Sequence, residues 1–129
     1  MFLVDTSVWI DVFRGTATQH LDTLADFDEL LTCLPVIQEV LQGFRDETAF
    51  RKAREAMWSL PLVESPLGPD VFGEAVDLYR LARRAGITVR SSTDCLIAAC
   101  ALRHDLTVLH RDRDYPALAT ISSLSVRSL

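Results

Sequence analysis

Three observations predict an α/β fold with a mostly parallel sheet of about five strands. Short apolar runs recur along the 129 residues, each cut off by turn- or cap-type residues. Stretches of helical periodicity alternate with those runs. Acidic residues stand where several of the runs end or the next helix starts.

The first run, Met1 to Val4, stops at Asp5 and reads as a buried, central strand. Thr6 or Ser7 can accept a hydrogen bond from the next turn, so a helix is expected there. Val8, Trp9, Val12 and Phe13 form two i,i+4 pairs on that helix, which ends near Gly15. Thr18 is a candidate cap for a second short helix through Phe27. Leu30 to Leu34 is a candidate strand, and Pro35 suits the first turn of a helix running to Gly43. Asp46 to Ser59 is helical, with a basic face of Arg51, Lys52 and Arg54. Leu60 to Glu64 reads as a brief strand before the loop Ser65-Pro66-Leu67-Gly68. Pro69 and Asp70 open a long amphipathic helix with Val71, Phe72, Ala75, Val76, Leu78, Tyr79 and Leu81 at core-facing spacings, stopping at Gly86. Ser92 or Thr93 caps a helix from Asp94 to His104 that is apolar nearly all round and therefore buried. Thr107 to His110 is a strand, Asp112 to Asp114 open a last helix with Pro116 in its first turn, and Leu124 to Val126 completes the sheet.

The length fits a single domain, residues 1–129, able to bury its own core. No apolar run reaches the length of a membrane span, and Asp5 and Asp11 interrupt the N-terminal stretch, so neither a membrane protein nor a secretory leader is expected. Cys33, Cys95 and Cys100 are an odd count without a CxxC or Cys/His pattern, as expected of reduced, buried thiols in a cytoplasmic protein. The net charge of −5 argues against broad electrostatic capture of a nucleic-acid backbone. It leaves room for a nucleic-acid substrate if carboxylates hold a metal ion that meets the phosphate. Arg14, Arg45, Arg51, Arg84, Arg90 and Arg111 are candidate RNA or partner contacts that the sequence does not sort.

In a βα unit the strand's C-terminal end and the following helix's N-terminal end share one edge of the sheet. Asp5 and Asp112 follow strands, Asp94 lies in a first helical turn, and Glu39 lies at the margin of an apolar helical stripe. Singly, each has a structural explanation. Asp5 suits a turn or cap, Asp94 a helix dipole and Glu39 a solvated helix face. Asp112 and Asp114, beside Arg111 and Arg113, suit a solvated cluster capping the last helix. Together at one edge, four carboxylates repel and need a cation. Oxygen-only ligands suit Mg²⁺ or Mn²⁺. Such an ion supports attack of water on a phosphodiester.

Four segments carry a resemblance: Leu3-Val4-Asp5-Thr6-Ser7, Pro35-Val36-Ile37-Gln38-Glu39-Val40, Asp94-Cys95-Leu96-Ile97-Ala98-Ala99 and Val108-Leu109-His110-Arg111-Asp112-Arg113-Asp114-Tyr115. In this order, over nearly the whole chain, the sequence is similar to the PIN domain and, within it, to VapC-type toxins of toxin–antitoxin pairs. The resemblance implies a PIN-like three-layer α/β/α sandwich and a metal-dependent RNA endonuclease. It makes Asp5, Glu39, Asp94 and Asp112 the catalytic and metal-binding quartet, with Mg²⁺ or Mn²⁺ as cofactor. Ser7 would help place a metal-bound water or a ligand carboxylate. It also implies a homodimer silenced by a cognate antitoxin whose tail enters a groove near the active site, a groove that Trp9, Val12 and Phe13 would line unless they simply pack in the core.

The last segment departs from the family pattern. His110 stands where Thr or Ser is usual, and Asp112 and Asp114 compete for one acidic position. Asp112 is nearer the strand end, leaving Asp114 as a further or water-mediated metal contact. His110 is either a base or ligand, or a structural residue. A binding module without nuclease turnover is the alternative function. A phosphotransfer domain ranks lower, because Ser7 stands where an Asp-nucleophile phosphatase needs a second acid.

Overall fold

The computed structural model describes residues 1–15, 21 and 25–129. Four parallel strands form one sheet in the order β2-β1-β3-β4. They are β1 (Phe2–Val4), β2 (Leu30–Leu31), β3 (Thr107–His110) and β4 (Ser125–Ser128). Leu3 lies opposite Leu31 on one side and Val108 on the other. Leu3, Val4, Val108 and Leu109 are all fully buried. Consecutive strand residues point to opposite faces, so both faces of the sheet are covered and the architecture has three layers. From β1 the chain goes to β2 on one side, then returns to β3 on the other. That reversal opens a crevice at the carboxyl ends of β1 and β3, where Asp5 and Arg111 leave the sheet.

The helices are α1 (Thr6–Phe13), α2 (Leu34–Gln42), α3 (Glu47–Trp58), α4 (Pro69–Arg84), α5 (Ser92–Arg103) and α6 (Asp114–Thr120). Their ends follow local chemistry. Pro35 and Pro69 sit in first turns, where a missing N–H costs nothing. Asp46 accepts the Ala49 N–H at 2.8 Å and caps α3. Gly86, at φ +76°, takes the left-handed step that ends α4. As its composition predicts, α5 is buried almost throughout: Cys95, Ile97, Ala98, Ala99, Cys100 and Ala101 are at most 1% exposed. All three cysteines are free and buried, and burial pushes the Cys95 thiol up to about 11. Among the described residues, no helix is long and apolar enough to cross a membrane.

Three expectations need correction or fall outside the described chain. Among the described residues the sheet has four strands, not five. Leu62 pairs with Thr32 in a single bridge, through Thr32 N to Pro61 O and Val63 N to Thr32 O, both 3.0 Å. Pro61 has no N–H to extend a ladder, and Glu64 turns the chain aside at φ +54°. On α4 only Val71, Ala75, Leu78 and Ala82 are buried, whereas Phe72, Val76, Tyr79 and Leu81 are 40–56% exposed. Phe72, Val76 and Tyr79 each follow a core residue by one position, so they lie about 100° further round the helix. The expected helix from Thr18 falls largely outside the described residues, and Phe27–Glu29 at its end is one 3₁₀ turn.

Candidate metal centre

Asp5 leaves β1 and caps α1 itself, in place of the expected Thr6 or Ser7. Its Oδ2 accepts from Ser7 N at 3.0 Å and Ser7 Oγ at 2.6 Å. Ser7 Oγ in turn accepts the Arg111 N–H at 3.0 Å, tying the exit of β3 to the start of α1. Thr6 reaches across to α2, where its hydroxyl donates to Glu39 Oε1 at 2.8 Å. Each small polar residue after the strand therefore orients an acid or its neighbour.

Asp94 comes from the first turn of α5 and is 5% exposed. Its Oδ2 is buried without a hydrogen-bond partner among the described residues. Asp112 precedes α6 and accepts the Asp114 N–H at 2.9 Å. Asp114 is buried and accepts the Arg90 backbone N–H at 3.1 Å through Oδ2. Asp94, Asp112 and Asp114 each bring one oxygen within 4.8 Å of the others. The two aspartates that compete in sequence thus both enter this group.

Asp5 adjoins the group through the hydroxyl of Tyr115. That hydroxyl donates to Asp5 Oδ1 at 2.5 Å and lies 3.4 Å from Asp94 Oδ1. Glu39 stands at the rim, half-buried, also facing a cavity of about 430 Å³ shared with Phe13, Arg14, Phe44 and Arg45. Phe13 and Phe44 meet edge to face at 5.7 Å, and Trp9 is core-packed at 6% exposure. Among the candidate arginines, Arg111 pairs with Asp11 at 2.6 Å and Arg51 with Glu47 at 3.3 Å.

The electrostatics record the crowding. Burial, the adjoining Asp114 carboxyl and the charges of Asp5 and Asp112 push Asp94 up to about 8. Burial raises Glu39 as well, the Thr6 hydroxyl opposes it, and the charges of Asp5 and Asp112 add to the rise. His110 is depressed by burial despite the pull of Asp5 and Asp112. Its Nδ1 accepts the Asp112 N–H at 3.2 Å, so the ring shapes the acidic loop.

These residues fit a divalent cation. The donors are all oxygens, as Mg²⁺ and Mn²⁺ prefer, and a buried carboxylate oxygen lacking a partner points to a missing positive charge. Thr6 and Tyr115 are the orienting residues that the sequence did not disclose. A threonine beside a cap and an aromatic residue at a helix start carry only ordinary capping and core signals.

The PIN domain profile matches residues 2–121, and the chain belongs to that family. It is 38% identical to Ribonuclease VapC11 of Mycobacterium tuberculosis, over 99% of this chain and 98% of that protein. The fold is also that of VapBC2 from Rickettsia felis, solved bound to a promoter DNA fragment. The TM-score there is 0.81 at 12% identity, over 99% of this chain and 98% of that one. VapBC-5 from M. tuberculosis gives a TM-score of 0.76 at 22% identity, over 98% and 97% of the two chains.

Proposed function

We propose that this protein is a Mg²⁺- or Mn²⁺-dependent RNA endonuclease, the toxin of a type II toxin–antitoxin pair, acting as one PIN-like domain of residues 1–129. The observation that carries the reading is Asp94, a buried acid with one partnerless oxygen that also brings a carboxylate oxygen within 4.8 Å of Asp112 and Asp114. The near full-length relationship to a named VapC ribonuclease supports RNA as substrate and a cognate antitoxin as partner.

In this reading Asp94, Asp112 and Asp114 hold the ion, with Asp5 as the adjoining ligand and Glu39 at the rim. A bound divalent ion supplies an activated water and positive charge for the phosphate. The chain's own part is positional. Ser7 pins Asp5 from one side, His110 and Asp112 shape the loop after β3, and Thr6 occupies Glu39 Oε1. That leaves Glu39 Oε2 as the atom to take up a proton from the attacking water, a role its raised proton affinity suits.

RNA cleavage by the purified protein tests the reading. Activity is expected with Mn²⁺ or Mg²⁺, absent in EDTA and lost in Asp94→Asn. Cleavage that persists in EDTA, or in folded Asp94→Asn protein, contradicts it.

The proposed assembly is a homodimer. Phe72, Val76 and Tyr79 make an exposed apolar stripe on α4 beside a cavity of about 330 Å³ against α5. A contiguous apolar face of this kind is suited to an isologous contact with a second copy of the chain.

A further inference from the structure

Tyr115 is fully buried in the first turn of α6, next to Asp114. Its ring lies 5.5 Å from His110, and the two hydrogen-bond neighbours of its hydroxyl are both carboxylates. A buried tyrosine hydroxyl normally satisfies itself on whatever acceptor is near. Here the acceptor is Asp5 Oδ1, and the other oxygen of Asp5 already takes two bonds from Ser7. Asp5 is therefore held at both oxygens, from both sides, and its carboxylate plane is fixed.

A phenol has one proton to give. At 2.5 Å from Asp5 and 3.4 Å from Asp94, it goes to Asp5. Asp94 Oδ1 gains at most this long contact, and its other oxygen, Oδ2, has no partner among the described residues. One acid is thus oriented and partly neutralised, while its neighbour stays available.

We infer that Tyr115 is a positioning residue: its hydroxyl fixes Asp5 beside Asp94 and thereby sets how tightly the acidic group binds a divalent cation. The inference rests on the ion-binding reading above. Holding ligands in place before the ion arrives removes the ordering cost from binding, and loss of such a supporting contact typically weakens metal affinity about 10- to 100-fold.

The test titrates Mn²⁺ alone, calorimetrically, into wild-type and Tyr115→Phe protein. The substitution keeps the ring and removes only the hydroxyl. The expected result is a dissociation constant about 10- to 100-fold higher, with RNA cleavage restored close to wild type at saturating Mn²⁺. Unchanged affinity in folded Tyr115→Phe overturns the inference, as does a loss of turnover that saturating Mn²⁺ does not restore. If Tyr115→Phe fails to fold, the Tyr79→Phe protein, whose one remaining tyrosine is Tyr115, takes its place. Adding spectroscopically silent Mg²⁺ is expected to change its near-UV tyrosine absorption, and no change overturns the inference. Wild-type protein that binds Mn²⁺ but cleaves no RNA removes the ribonuclease reading and leaves the affinity comparison standing. Wild-type protein that binds no Mn²⁺ overturns both.

Discussion

Replacing Asp94 by Asn keeps its shape and removes its charge, which separates the needs of the fold from those of the chemistry. As a metal ligand its loss should lower RNA cleavage by more than about 100-fold, beyond what the loss of a contact that only supports a ligand typically costs. The cation-free fold, by contrast, should be no less stable above about pH 8, where Asp94 carries its charge and the substitution removes a crowded buried carboxylate. The pH dependence has a definite sign. Asp94 titrates near 8 in the folded chain, against about 3.9 in an unfolded one. Between those values the folded state holds the extra proton, so raising the pH destabilises it. The contribution is complete below about pH 4 and gone above about pH 8. Glu39, also raised, adds in the same direction. Thermal unfolding in EDTA should show the midpoint falling across this window, with a shallower slope in Asp94→Asn. A midpoint that rises with pH there would contradict the assigned electrostatics.

Strand ends and helix starts were legible in the sequence because each is written in local chemistry. The apolar run stops at Asp5, Pro35 and Pro69 enter first turns, and Asp46 has the oxygen a cap requires. The cap of α1 was not legible, because Asp5, Thr6 and Ser7 all carry suitable oxygens. The choice is made by residues remote in sequence: Glu39 takes the Thr6 hydroxyl and Arg111 binds Ser7. The face of α4 was obscured for a related reason. Apolar residues at adjacent positions, such as Val71 with Phe72, define two stripes, and periodicity alone does not say which meets the core. On α5 no such choice exists, since nearly every side is covered. Ala98→Leu should therefore cost about 1–3 kcal/mol through overpacking, and Asp46→Ala about 1 kcal/mol through the lost cap of α3. Denaturant unfolding measures both, and an Ala98→Leu protein as stable as wild type would show that α5 is less tightly enclosed than described.

At the scale of the whole molecule, strand order places the acids together: β1 and β3 are parallel neighbours, and the strand order switches sides of the sheet between them. Alternation of strands and helices made the class of fold readable. The sheet lost its fifth strand because Pro61 and Glu64 end pairing after a single bridge. The exposed stripe of α4 carries its own prediction. Wild-type protein should sediment as a dimer and Val76→Lys as a monomer that still binds Mn²⁺. A monomeric wild type would remove the proposed dimer without touching the metal centre.

Anomalous diffraction from crystals soaked in Mn²⁺ addresses the convergence of the acids most directly. The account predicts a peak bounded by Asp94, Asp112 and Asp114, with carboxylate oxygens at about 2.1 Å and Asp5 alongside. An empty acidic group at saturating Mn²⁺, or a peak only at some other surface, would contradict it.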